Sequence, residues 1–355
     1  MPVALLAVLL ALPLLAWSSD SHRAGLQAPA HPDARAEYAE GVRCFREGRL
    51  DDAQRHLARA ADLDPSLPQL DLLLGQVYSR KGLYAPALER LERAVRSDPR
   101  SAHAHYFLGI TLRLNGNAVR ALEELARAAR LAPDNAAFRY YVGLSYLDAR
   151  RNPEAVEELA AAARLDPADV PARINLAWAL LELGRSSQAT QALREAVRLA
   201  PGSAVAWYLL GESLRRLGES EEAMRHFDKA LAVNEKMADA LFALATMRYL
   251  RQDREAAAEL YVRLLSVDPG HAGAHYQLGK LLLSQGRLDE ALRHLEKAVE
   301  TAPSVKAAHY QLSRAYRLKG LTEQAKREAQ IFRSLRTEAL DEAEWRPDRL
   351  GRPPR

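Results

Sequence analysis

His271 and His275 stand four residues apart, a spacing that lets two imidazoles on one helix face share a metal ion. His271 falls in a loop between helical stretches and no third ligand accompanies the pair, so no metal or cofactor site is expected. Cys44 is the single cysteine. One thiol excludes an intrachain disulfide, a zinc ribbon and a CxxC redox pair, and Cys44 is expected as a small buried apolar residue. His105, His275 and His309 each precede a tyrosine (Tyr106, Tyr276 and Tyr310), and partial core packing suits them better than acid–base work. No Walker loop, GxSxG, HExxH or paired-carboxylate pattern is present, so the chain is expected not to be an enzyme.

The elements that position these side chains are visible as a repeat. Small residues recur every 34 positions at Gly41, Gly75, Gly109, Gly143, Ala177, Gly211, Ala245, Gly279 and Ser313. Twelve positions after each stands an alanine: Ala53, Ala87, Ala121, Ala155, Ala189, Ala223, Ala257, Ala291 and Ala325. Seven further on come Ala60, Ala94, Ala128, Ala162, Ala196, Ala230 and Ala298, interrupted only by Leu264 and Phe332. Prolines close most units, at Pro65, Pro99, Pro133, Pro167, Pro201, Pro269 and Pro303. Nine such units run from Ala34 to Ala339 without an insertion.

Each recurring position has a physical reason. Apolar residues repeat at helical spacing within each half, as in Leu74, Val77 and Tyr78, then Leu88, Leu91 and Ala94. A glycine between the halves, such as Gly82, ends the first helix in a left-handed conformation. Proline cannot continue the second helix. The small residues let two antiparallel helices pack closely, and one pair cannot bury its own apolar stripe, so neighbouring pairs must stack.

These offsets resemble the tetratricopeptide-repeat family, whose pattern sets Trp, Leu-Gly, Tyr, Ala, Phe, Ala and Pro at fixed places. The sixth unit matches best, with Trp207, Leu210, Gly211, Ala223, Phe227 and Ala230. The resemblance covers residues 34–339 and implies an all-α, right-handed α-solenoid of antiparallel helix pairs. Departures concentrate late in the chain. Asn234-Glu235 stands in place of Asp-Pro, and the seventh unit has Arg248, Gln252 and Leu264 where tyrosine, glycine and alanine are usual. The array is expected to be least regular around residues 234–266.

The resemblance also implies that side chains of the first helices line a groove and meet a ligand. At the fifth position of each unit an aromatic stripe runs through Tyr38, Tyr106, Tyr140, Tyr208, Phe242, Tyr276 and Tyr310, broken by Leu72 and Ile174. Trp178, Arg113, Arg215, Arg216, Arg314 and Arg317 complete the candidate partner-binding set. Two alternatives stay open for the tyrosines: contact with a ligand, or packing against the next helix. The basic excess lies toward the ends of the array and Asp148, Glu182, Glu212 and Asp239 toward its middle, which suits an extended protein or peptide partner with acidic and apolar residues. The Lys-Asn-Asn-Lys-Arg constellation of chaperone-tail clamps is missing, as is the asparagine ladder of the sugar-transferase members.

Overall composition agrees. The chain has 355 residues, 48% hydrophobic and 6% aromatic, and its 50 basic and 46 acidic residues are mixed. That mixing gives no basic cluster for nucleic acid. Nothing in the sequence sets an oligomeric state. Residues 3–17 are apolar, short for a membrane span and interrupted by Pro13, which suits a secretory signal cleaved after Ser18. An uncleaved anchor through the same residues is the alternative. A linker over 19–33 and a basic, proline-containing tail over 340–355 flank the array. The function expected is an extracytoplasmic interaction scaffold in envelope assembly, secretion or pilus biogenesis. The alternative is a membrane-anchored regulator whose repeats face the cytoplasm.

Overall fold

The computed structural model describes residues 32–67 and 69–335. The expected segments 1–18 and 340–355, most of 19–33, and the last residues of the array lie outside this range. Among the described residues there are eighteen helices and no strand. The first helices of successive pairs are α1 (Pro32–Arg46), α3 (Leu70–Arg80), α5 (Ala102–Leu114), α7 (Ala136–Asp148) and α9 (Val170–Glu182). They continue as α11 (Ala204–Arg216), α13 (Ala238–Leu250), α15 (Ala272–Ser284) and α17 (Lys306–Leu318). Second helices are α2 (Leu50–Leu63), α4 (Tyr84–Ser97), α6 (Ala118–Leu131), α8 (Asn152–Leu165) and α10 (Ser186–Leu199). After them come α12 (Ser220–Val233), α14 (Arg254–Val267), α16 (Leu288–Thr301) and α18 (Thr322–Ser334). The chain parts into two compact units between Leu183 and Gly184, inside the fifth repeat. Each unit holds four complete helix pairs joined by short turns, which makes the paired helices antiparallel, with α9 closing the first unit and α10 opening the second.

Packing within a pair turns on the small residues. All nine alanines from Ala53 to Ala325 at the second-helix position are at most 2% exposed. Opposite them the first helix comes so close that a Cβ built on Gly75 would lie 2.5 Å from Leu91 Cγ. One built on Gly211 would lie 2.6 Å from Phe227 Cε1. In the first unit the resulting core runs from Cys44, Leu57 and Leu74 in α1–α3 to Tyr106, Leu125 and Phe138 in α5–α7.

Near residues 234–266, where irregularity is expected, the helix bounds keep the pattern of the other repeats. Helix α12 still stops at Val233, although Glu235 stands where other units have proline, and α13 and α14 keep the usual 13 and 14 residues. Leu264 is accommodated with no exposure at all. Gln252 takes the turn conformation of the missing glycine, with φ +66°, as Arg150 does at +57° in the fourth unit. Proline therefore reinforces a stop that the turn already sets.

Two substitutions should separate the close approach from the turn. Gly211→Ala should overpack the pair and cost about 1–3 kcal/mol. Gln252→Gly should relieve left-handed strain and stabilise by roughly 1 kcal/mol. Urea unfolding midpoints measure both, and equal midpoints for the two variants would contradict this account.

Candidate partner-binding surface

The first helices carry the candidate set, and their burial divides it. Tyr106 is 1% exposed, Tyr208, Phe242 and Tyr276 are 6% exposed, and Trp178 is 7% exposed. Tyr38 and Tyr140 are half-buried, and Tyr310 is 46% exposed.

In the first unit the stripe is largely a packing device. The Tyr106 ring meets Phe107, Phe138 and Tyr141 at centroid distances of 5.0, 4.7 and 5.4 Å. Burial raises its phenol well above the ordinary value. Tyr140 lies edge-on to Tyr141 at 5.3 Å, and its hydroxyl accepts from Asn175 Nδ2 at 3.2 Å. Burial pushes the Tyr38 phenol up to about 12. Arg113 Nε donates to Asp148 Oδ2 at 2.6 Å, binding α5 to α7 across 35 residues. Arg80 lies over the Phe45 ring at 4.4 Å.

In the second unit Glu212 has no exposure and accepts from Arg215 Nε at 3.1 Å and Nη2 at 3.0 Å. Burial raises the Glu212 carboxyl, with Arg215 opposing. Arg216 is half-buried beside this pair. Phe242 sits between Tyr261 at 6.0 Å and His271 at 4.9 Å. Lys280 Nζ lies 5.1 Å from the Tyr276 ring and 5.6 Å from that of Tyr249. On α17, Tyr310, Arg314 and Arg317 are all exposed. Their spacing of four and three places them along one helix face.

The histidines noted in the sequence serve structure. His271 caps α15, its Nδ1 accepting from Ala274 N at 3.0 Å. His105 places Nε2 3.1 Å from Pro99 O and Nδ1 2.5 Å from Glu124. His309 repeats this with Pro303 O at 2.9 Å and Glu328 at 2.6 Å. Arg139 does the same through Nε to Pro133 O and Nη1 to Glu158. At His105, Arg139 and His309 the position thus takes a side chain whose nitrogens reach both the preceding loop and the second helix of its own pair. Trp207 donates to Pro201 O at 2.8 Å and stacks on His226 at 5.3 Å. This bridge, joining residues 19 apart, was not anticipated from the sequence. The recurring charge opposition of His105 with Glu124, Arg139 with Glu158 and His309 with Glu328 would have revealed it.

One bridge lacks its acid. His275 Nδ1 meets His294 Nδ1 at 2.9 Å while His275 Nε2 faces Pro269 O at 3.0 Å. With Nε2 donating to Pro269 O, His275 Nδ1 is the acceptor and His294 Nδ1 the donor. Burial, then the neighbouring His275, lower the His294 value. A lowered histidine supports the fold above its unfolded value and loses that support as pH falls through its folded one. His294→Glu restores the acid of the other repeats, and should shrink the stability lost between pH 7.5 and 5.5. An unchanged loss in paired urea titrations would contradict this. Tyr106→Ala should cost about 3–5 kcal/mol as a deeply buried aromatic. Tyr310→Ala should cost well under half of that in the same titrations.

Comparison with known proteins follows this geometry. Family models described as tetratricopeptide repeat match residues 72–136, 115–170, 142–204, 174–232 and 208–272, and further 248–304 and 282–331. No curated protein matches the chain. Among solved structures, the Cut9–Hcn1 hetero-tetramer of APC/C is similar at TM-score 0.53 and 18% identity, covering 79% of this chain and 55% of that one. PilF of Pseudomonas aeruginosa is similar at TM-score 0.51 and 23% identity, covering 57% of this chain and 92% of that one. At these identities the likeness is one of fold. The repeats, the buried alanines and the family match over residues 72–331 together make this chain a member of the tetratricopeptide-repeat family.

Proposed function

We propose that the chain is an interaction scaffold that binds an extended or helical segment of a protein partner along its first helices. The observation that carries this is the exposed face of α17, where Tyr310, Arg314 and Arg317 align an aromatic ring with two cations. Such a face fits a partner segment bearing carboxylates beside apolar residues. Tyrosine offers contact area for few frozen rotors, and arginine offers forked donors to a carboxylate. The deeply buried members of the stripe, Tyr106, Tyr208, Phe242 and Tyr276, pack within the repeats. Arg113, Arg215 and Arg216 contribute through side chains already engaged with the repeat.

An extracytoplasmic location, with a role in envelope assembly, secretion or pilus biogenesis, is part of the proposal and rests on residues 3–17. Those residues lie outside the described range, and no helix among the described residues is long and apolar enough to cross a membrane. Protease accessibility in intact cells separates this location from that of a cytoplasm-facing regulator.

The binding test compares the full chain with an Arg314→Glu, Arg317→Glu variant. Both are used to capture partners that are then identified by mass spectrometry, and the captured partner is titrated. The reversal should weaken binding at least tenfold and flatten its salt dependence, with helical content unchanged. Equal affinity and equal salt dependence would move the binding surface away from α17.

A further inference from the structure

The first helix pair assembles a set of metal-binding donors that the repeat does not require. Glu40 and Cys44 lie one turn apart on α1, and His56 faces them from α2. One donor atom from each lies within 4.8 Å of the others. Tetrahedral coordination of zinc at about 2.0–2.3 Å separates its donors by roughly 3.3–3.8 Å, so a small contraction completes the set. The Cys44 thiol is wholly buried, whereas Glu40 and His56 are half-buried at the mouth of an open cavity of about 600 Å³. That cavity is also lined by Asp33, Glu37 and Asp62, against the single cation Arg59. Its potential therefore draws cations.

The imidazole is already oriented. Glu37 Oε2 lies 2.6 Å from His56 Nδ1, which leaves Nε2 as the nitrogen for an ion. A carboxylate behind a ligating histidine is the usual arrangement at zinc, fixing the tautomer and raising ligand basicity. We propose that Glu40, Cys44 and His56 bind a divalent ion of the zinc class, with Glu37 positioning His56. The open cavity supplies a water for the fourth coordination position.

Three features shape the binding. Arg43 Nη2 donates to Glu40 Oε1 at 2.5 Å and must swing away, which its exposed side chain allows at small cost. Arg59 stands 3.6 Å from Glu37. Cys44 Sγ lies 3.7 Å from Glu40 Oε1, and burial pushes its thiol up. An ion bound by the thiolate displaces the thiol proton to solvent.

The test is a cobalt(II) titration of the full chain, stripped with chelator and kept reduced. A thiolate-to-cobalt absorption band in the near ultraviolet should appear and be erased by zinc. Cys44→Ser should abolish the band. His56→Gln should weaken binding at least tenfold, and Glu37→Gln about tenfold with the band retained. Circular dichroism confirms that each variant is folded, and His56→Gln decides the matter if the buried Cys44→Ser protein is not. Absence of the band in folded wild-type protein, or affinity unchanged by His56→Gln, would overturn the site.

Discussion

The distance between the two helices of a repeat is set where a first-helix residue with little or no side chain meets a large one from the second helix. Gly41, Gly75, Gly109, Gly143 and Gly279 each receive a leucine, and Gly211 receives Phe227, at distances that leave no room for a Cβ. The buried alanines beginning with Ala53 and Ala87 continue the same close seam. Where a Cβ is present, the neighbourhood changes to suit it. Ser313 turns its hydroxyl to donate to Ala325 O at 2.8 Å, and Tyr261, near Ala245, reaches the Thr246 hydroxyl at 3.2 Å. Dispersion gained over so short a separation is forfeited quickly by a gap, which is why this position tolerates so few residue types.

Fixing that distance lets one bridge geometry recur with different chemistry. His105 with Glu124, Arg139 with Glu158, and His309 with Glu328 all tie the preceding loop carbonyl to the second helix. Trp207 reaches the equivalent carbonyl and replaces the ion pair by stacking on His226, with Lys229 Nζ 4.5 Å from the Trp207 ring. What the fold needs there is a donor of the right reach and a flat or charged partner. Residue identity is free within that demand. In the first pair the polarity reverses, Glu37 on α1 and His56 on α2, and this reversal puts an imidazole next to Cys44.

Much of the fold was legible because a 34-residue period leaves few places for helix ends. The turn at Gln252 shows the limit: the sequence loses its glycine, yet the chain keeps the positive φ because the flanking pairs hold both helices. Leu264 likewise enters an alanine position and is buried without displacing a helix boundary. The surface was less legible. Offset identified the aromatic residues, but exposure depends on what the next pair lays over them, and Tyr276 and Tyr310 share an offset while differing from 6% to 46% exposed. Glu40 and Cys44 were visible as helix neighbours, whereas His56 joins them only through pairing of α1 with α2.

The same burial decides how charge can be used. Arg113 and Asp148 hold each other with 13% and 17% of their side chains exposed, and Arg215 holds the wholly buried Glu212. A partner carboxylate that pulled either arginine away would strand an acid in a poorly solvated place, a cost of several kcal/mol by the usual measure of broken buried pairs. Arg314 and Arg317 on α17 stand in solvent, where recruiting a cation costs chiefly the freezing of its rotors. For the acidic segment proposed above, α17 therefore offers cations at lower cost than Arg113 or Arg215 does. The Arg113–Asp148 pair joins neighbouring first helices and Arg215 neutralises Glu212 within α11, and both are better suited to holding the repeat than to meeting a ligand.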